Sequence, residues 1–305
     1  MIERVCIVGA GVIGSLFAGH LAQVCDVSVL TRRQDHADAL NREGLRVSGK
    51  SERQAQVRAS VDPDALPSPD VAIIATKATG LRGALEALTD AFPEATMTTV
   101  LNGLGAEEIV REHGEWPIVS AVTFMSGTRH ADTHVEYILD TETWLGPYED
   151  TPFERVQVIA DTIVASGLRA EALPDLRPAQ WSKLIFNAAV NPVAALTGLP
   201  HDPHFAADDE PTDLGHLVHG LVDEGKAVAE AAGIELHDDP WEMNVLATQR
   251  GSAHYPSMLE DVDAHRKTEI ELITGSLVRA AEQHDVPVPL HTLLYGLVKA
   301  KEESW

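Results

Sequence analysis

From residue 5 to about 125 the chain alternates short apolar runs with longer, Ala-rich stretches of helical spacing. The runs are Val5 to Val8, Val27 to Leu30, Val71 to Ala75, Met97 to Leu101 and Ile118 to Phe124. Strands covered on both faces need near-continuous apolar runs, and parallel neighbours need a crossover between them, so the pattern predicts β-α-β units around a parallel sheet. Between the second and third runs, Leu45 to Lys50 and Gln56 to Arg58 predict a hairpin insertion around Gly49. From Phe124 to Gly146 the spacing changes to polar-apolar alternation, in His134 to Ile138 and Glu142 to Leu145, which predicts antiparallel strands extending the sheet. A helix from Phe153 to Ser166 closes this half.

Beyond it the spacing is helical throughout, at about 179–197, 213–232, 240–249, 257–283 and 290–302, with Gly233 and His284-Asp285 as stops. Pro200 to Pro211 is acidic and contains prolines, and reads as a loop. In Leu173-Pro174-Asp175-Leu176-Arg177-Pro178 two prolines disfavour regular structure just where the pattern becomes all-helical, which places a domain boundary there. The 305 residues are enough for two domains, 1–174 and 175–305.

The first run feeds a turn with chemical content. Val5-Cys6-Ile7-Val8 leads into Gly9-Ala10-Gly11-Val12-Ile13-Gly14, then a helix from Ser15 to Val24 and a second strand. In G-x-G-x-x-G the first glycine permits the tight turn, the second admits a pyrophosphate to the backbone, and the third allows close helix-strand packing, with the helix N-terminus attracting the phosphates. Alone the motif is weak; in this strand-turn-helix setting it predicts a Rossmann-type dinucleotide-binding domain followed by an all-α domain, an α/β chain overall. At the end of the second strand, where NAD sites usually carry an acidic residue, stands Thr31-Arg32-Arg33. A guanidinium, Arg32 above all, can fork-bond a 2′-phosphate, so NADP(H) is favoured over NAD(H) and FAD. The competing reading makes both arginines solvated loop charges.

Composition narrows the partners. The formal net charge of −24 repels phosphate backbones and argues against nucleic acid or an anionic membrane. No apolar stretch is long enough to span a bilayer, and a strand beginning at Val5 leaves no room for a leader, so a cytoplasmic location is expected. Cys6 and Cys25 read as two buried thiols, not a disulfide framework. His201-x-x-His204 and His216-x-x-His219 lack a matching set of partners, so a metal is not expected. The helical half offers a surface on which a homodimer could form.

Four further segments complete the pattern: Ala75-Thr76-Lys77-Ala78; Leu101-Asn102-Gly103-Leu104-Gly105; Trp181-Ser182-Lys183-Leu184-Ile185-Phe186-Asn187-Ala188-Ala189-Val190-Asn191-Pro192; and Pro256-Ser257-Met258-Leu259-Glu260-Asp261 followed by Arg266-Lys267-Thr268-Glu269-Ile270. With the N-terminal glycines, in this order and spacing, the chain resembles the ketopantoate reductase (2-dehydropantoate 2-reductase) family over nearly its whole length. The resemblance implies NADPH-dependent reduction of the keto group of 2-dehydropantoate to pantoate, on the route to pantothenate. It implies Lys183 as general acid at the carbonyl and Glu269 as a residue that binds and orients the substrate hydroxyls. Asn187, Asn191 and Ser257 would line the substrate pocket, and Lys77 and Asn102 would sit against the cofactor, with Asn102 also counted among the substrate contacts. One departure is His254, where the family often has an asparagine, which leaves open reduction of another branched 2-keto acid.

Chemistry supports these roles independently. Hydride delivery to a ketone puts negative charge on oxygen, which calls for a cationic or proton-donating group such as Lys183. Lys183, Asn187 and Asn191 are spaced i, i+4, i+8, along one helix face, and their apolar neighbours favour an inward polar row over a solvated one. Pro192 should kink the helix near its last member. Ser257 with Glu260 three residues on has the form of a capping box. Residue chemistry alone would make Glu269 a solvated helix position, Lys77 a helix-start lysine and Asn102-Gly103 a turn. Two rivals remain: a β-hydroxy acid dehydrogenase, which lacks the Ser257 to Glu269 segment, and a non-catalytic NADP(H)-binding sensor, which needs neither Lys183 nor Glu269.

Overall fold

A computed structural model of the chain describes residues 2–207, 213–249 and 255–305. The chain divides into two compact units, Met1–Leu101 with Ala106–Leu176, and Asn102–Gly105 with Arg177–Trp305. Each has its own apolar core.

The first unit opens with β1 (Arg4–Val8), α1 (Val12–Leu21) and β2 (Asp26–Leu30), then α2 (Gln34–Glu43), β3 (Leu45–Gly49), β4 (Arg53–Ala55) and β5 (Arg58–Ser60). It continues through β6 (Val71–Ile74), α3 (Ala78–Ala91), β7 (Thr96–Thr99), α4 (Ala106–His113) and β8 (Ile118–Thr123). It ends with β9 (Ser126–Ala131), β10 (His134–Leu139), β11 (Thr143–Pro147), α5 (Phe153–Ala165) and β12 (Ala170–Ala172). The main sheet has the order β12-β11-β8-β7-β6-β1-β2-β5, parallel from β5 through β8. Its central strands β1, β6, β7 and β8 are buried almost end to end; β1 and β6 accordingly read as apolar runs, whereas β7 buries three threonines and β8 a serine and a threonine.

Two details differ from the sequence expectation. The hairpin at Gly49 closes on β4, with Leu45 opposite Ala55 and Val47 opposite Arg53, not on residues 56 to 58. Arg58 instead opens β5, which pairs with β2. The Asn41 amide of α2 bonds both the N–H and the carbonyl of Ala59, at 2.9 and 2.8 Å, which ties β5 to α2. Secondly, of the alternating stretch 124–146 only β11 extends the main sheet, antiparallel to β8. β9 and β10 join β3 and β4 in a separate sheet of order β4-β3-β10-β9. That small sheet packs on α1, so α1 is covered on both sides and is buried from Gly14 to Leu21. Cys6 is buried as expected, whereas Cys25 is only half-buried.

The second unit comprises α6 (Arg177–Thr197), a short 3-10 turn at Pro203–Ala206, α7 (Asp213–Ala231), α8 (Pro240–Thr248), α9 (Ser257–Asp263), α10 (Thr274–Gln283) and α11 (Pro289–Glu302). α6 packs against α7, α8, α9, α10 and α11, so it is apolar on nearly every side, as a central helix must be. It runs as one helix with Pro192 inside it. The expected single helix over 257–283 is two. Between them the chain turns at His265, whose φ of 49° lies in the left-handed region, and bonds Arg266 N–H back to the Asp261 carbonyl at 2.8 Å. The apolar spacing hid this break because Ile270 and Ile273 in the connection are as buried as Leu259 and Val262 before it. Among the described residues no helix is long and apolar enough to cross a membrane.

Candidate active site

In the first unit the three glycines have three different surroundings. Gly9 follows β1 with a φ of 103°, and a Cβ there would lie 2.9 Å from the Thr76 backbone nitrogen, so both conformation and space exclude a side chain. A Cβ at Gly14 would run into the Gly9 carbonyl and meet Ile7 and Ala75, so α1 sits directly on the strands. Gly11, the N-cap of α1, has nothing within 4 Å of its Cβ position. The first turn of α1 carries no acidic residue and no side-chain cap, so its N–H groups are left for an external acceptor. Blocked, open and blocked is what a turn built to admit a pyrophosphate at its middle glycine needs.

At the end of β2 the two arginines differ. Arg33 bonds Asp35 at 3.1 Å and also pairs with Asp132. Arg32 is exposed and, among the described residues, forms no ion pair; its guanidinium comes to 3.9 Å from the Cβ position of Gly80 in the first turn of α3. Thr31 is buried and its hydroxyl accepts the Arg33 N–H at 3.1 Å, which fixes the turn that separates the two arginines. Lys77 is the N-cap of α3, exposed at the C-terminal end of β6, beside the glycine turn.

In the second unit Lys183, Asn187 and Asn191 lie one turn apart along α6. Asn187 and Asn191 are buried and Lys183 keeps partial exposure. Burial pushes the Lys183 ammonium down from 10.5 to about 8, while the Glu269 carboxylate acts the other way and favours the charged form. Glu269 is 6% exposed and stands on the turn ahead of α10, not on a helix. Its Oε2 accepts from the Asn102 amide at 3.1 Å, across 167 residues of sequence. The Asn102–Gly105 segment belongs to this unit because Leu104 N–H bonds the Leu272 carbonyl at 2.8 Å. Gly103 has a φ of 93° and lies so close to that carbonyl that no Cβ fits. The lysine, the carboxylate and the amide are therefore one cluster within the helical unit.

The capping box at Ser257 does not form. Pro256, in extended conformation, takes the N-cap position, and Ser257 is the first helical residue of α9. The Glu260 N–H goes to the Pro256 carbonyl at 3.1 Å in an ordinary helical bond. His254 lies outside the described residues. The paired histidines have separate duties: His201 is buried, bonded to Asn244 at 2.8 Å between the rings of Phe186 and Phe205, and the exposed His204 bonds Asp202. Sequence reasoning missed Thr268 and Glu302, which fix the turn carrying Glu269. Thr268 N–H and hydroxyl both donate to Glu302 Oε1, at 2.7 and 2.6 Å. The one signal for Thr268 is its place beside Glu269; for Glu302 there is none, since it reads as the solvated end of a helix.

Fold and cluster define a two-unit chain with a dinucleotide-type glycine turn in one unit and a lysine-carboxylate-amide cluster in the other. Comparison with known proteins makes this specific: residues 5–150 match the family model for ketopantoate reductase PanE/ApbA and residues 175–302 that for its C-terminal part, so the chain belongs to the ketopantoate reductase family. A Pyrococcus horikoshii protein named 2-dehydropantoate 2-reductase is 31% identical over 98% of this chain and 97% of its own. The crystal structure of a PanE/ApbA family ketopantoate reductase from Ralstonia eutropha is 26% identical, with a TM-score of 0.87 and 99% of each chain covered. A D-mandelate dehydrogenase in ternary complex with NADH and anilino(oxo)acetate shares the fold, at 24% identity, a TM-score of 0.89 and 99% coverage of each chain.

Proposed function

We propose that the chain reduces a 2-keto acid with NADPH, and that the substrate is 2-dehydropantoate. The observation that carries the proposal is the cluster of Lys183, Glu269 and Asn102 beside the buried polar row of α6, in which burial lowers the lysine pKa to about 8 and the Glu269 carboxylate opposes that shift. A group poised near neutral pH, still charged but ready to give up its proton, is what a general acid requires.

The glycine turn fits a dinucleotide pyrophosphate, because it is open only at Gly11 and presents the free N–H groups of α1. A reduced dinucleotide held by Gly9, Gly11, Gly14 and the N-terminus of α1 would supply the hydride for the carbonyl carbon. As the C=O bond becomes C–O, Lys183 donates a proton to the oxygen, leaving an alcohol and a neutral amine that bulk water reprotonates. Asn187 and Asn191 offer amide donors and acceptors to the keto acid, with Ser257 as a further hydroxyl contact. Glu269, held by Asn102, binds the substrate hydroxyl and keeps Lys183 charged in the resting enzyme. Lys77 contacts the cofactor. Arg32, exposed and uncommitted, takes the 2′-phosphate.

The domain boundary, the cytoplasmic location and a homodimer stand as part of the same proposal. A second reading, reduction of another branched 2-keto acid, is favoured by His254 in place of the usual asparagine. Purified protein is tested with 2-dehydropantoate and a panel of branched and aryl 2-keto acids, each with NADPH and NADH. Clear turnover of another keto acid without turnover of 2-dehydropantoate refutes the substrate. Arg32→Ala should weaken NADPH roughly tenfold to a hundredfold, the value of a charge-assisted hydrogen bond, and leave NADH nearly unchanged. Arg33→Ala should change neither by much, since Arg33 is committed to Asp35 and Asp132.

A further inference from the structure

We infer that Glu302, the last residue of α11, is a positioning residue for Glu269: it holds the turn from which the Glu269 carboxylate is presented to Lys183 and the substrate. The inference rests on the role proposed above for Glu269.

Glu302 is only 4% exposed, in a place that helix stability alone would not choose for it. A carboxylate at a helix C-terminus opposes the helix dipole, and a buried carboxylate is costly unless it is satisfied. Its partners lie on the turn that bears Glu269. Oε1 accepts the Thr268 N–H at 2.7 Å and the Thr268 hydroxyl at 2.6 Å, and the Lys267 ammonium stands 3.6 Å from Oε2. The same ammonium donates to the Glu302 backbone carbonyl at 3.4 Å.

The Thr268 hydroxyl, once it has donated to Glu302, accepts the Ile270 N–H at 3.2 Å, so both chain neighbours of Glu269 are fixed through one oxygen. The Glu269 carbonyl accepts the N–H groups of Leu272 and Ile273, at 3.2 and 3.1 Å. From the side-chain end, Asn102 holds the carboxylate. Glu269 has no regular helix around it to set its direction, and the connection between α9 and α10 has ten residues from Ala264 to Ile273 in which to wander. Glu302 is the group that removes that freedom at the residue next to the carboxylate. Orientation of a reacting group within a fraction of an ångström governs rate far more than it governs folding, so the consequence is catalytic.

The test combines kinetics with amide exchange. Glu302→Ala should lower kcat/KM for the keto acid by about tenfold to a hundredfold, while the Kd for the dinucleotide stays within about twofold. Glu302→Gln, which keeps the oxygen that accepts from Thr268, should restore most of the loss. In a Glu269→Gln background, Glu302→Ala should cost less than about threefold more, because the effect is transmitted through Glu269. Exchange at Thr268 and Ile270 should quicken in Glu302→Ala. Full additivity of the two substitutions, or an equal loss of dinucleotide affinity, overturns the inference. If Glu302→Ala does not fold, Thr268→Val, which removes the hydroxyl but keeps the N–H, replaces it in the same cycle. If the wild type reduces no keto acid at all, the proposed function has failed, and the exchange result alone decides the anchoring: unchanged protection at Thr268 and Ile270 overturns it.

Discussion

The pH dependence of reduction is where the reading of Lys183 is most exposed to test. With a pKa of about 8, the proton donor is roughly nine-tenths charged at pH 7 and one-tenth charged at pH 9. kcat/KM for the keto acid should therefore fall about tenfold over that interval, and close to tenfold per unit beyond it, because this ratio reports the ionisation of the free enzyme. A lysine with an ordinary pKa near 10.4 would leave the profile almost flat to pH 9. The sign of the partner's effect is fixed as well. The Glu269 carboxylate favours the ammonium, so Glu269→Gln should move the falling limb to lower pH. In the reverse direction the neutral amine must accept the proton, and oxidation of the hydroxy acid should rise over the range in which reduction falls. Initial rates are followed by the near-ultraviolet absorbance of the reduced nicotinamide across buffers of constant ionic strength. A flat profile for reduction between pH 7 and 9, or an upward shift in Glu269→Gln, refutes the assignment of Lys183 as the general acid.

Lys183→Met should lower kcat by about 10² or more and yet raise Tm at pH 7. A lysine whose folded pKa lies below its unfolded value disfavours the folded state at neutral pH, by at most about 3 kcal/mol for this shift and less for a partly exposed residue. In the wild type that cost should fade as pH rises from about 8 towards 10.5; a Met variant that melts lower than the wild type contradicts the burial argument. Gly11→Ala and Gly14→Ala should part company. The first has room for its methyl and should fold with an unchanged Tm while losing dinucleotide affinity, whereas the second meets the Gly9 carbonyl and should lose several degrees of Tm. Equal melting of the two variants would contradict the different surroundings of these glycines.

What could be read from the sequence was whatever depends on near neighbours. The parallel strands β1, β2 and β6 are visible because burial keeps them largely apolar, and the glycine turn because its chemistry is confined to six residues. The row Lys183, Asn187 and Asn191 follows from helical spacing alone. The rest depends on partners far along the chain. Arg58 joins the main sheet by pairing with Ser28 of β2, and His134 to Ile138 goes to the small sheet through β3, neither of which local alternation encodes. The break between α9 and α10 is invisible because its apolar residues are spaced as a helix would space them, while the turn relies on a left-handed His265 and on Glu302. Arg32 and Arg33 look alike in sequence and differ because Asp35 and, 99 positions away, Asp132 engage only the second of them.

The placement of Asn102–Gly105 with the C-terminal helices also bears on how the protein is made. Asn102 leaves the ribosome long before Glu269, and Leu104 long before Leu272, so these hydrogen bonds must wait for nearly the whole chain to be synthesised. Closing a loop of that length costs only slightly more entropy than closing a shorter one, but the delay is real in time. During translation the first unit can assemble around a short stretch whose partners do not yet exist, leaving Gly103 and its neighbours open to proteases and chaperones until the last helix emerges.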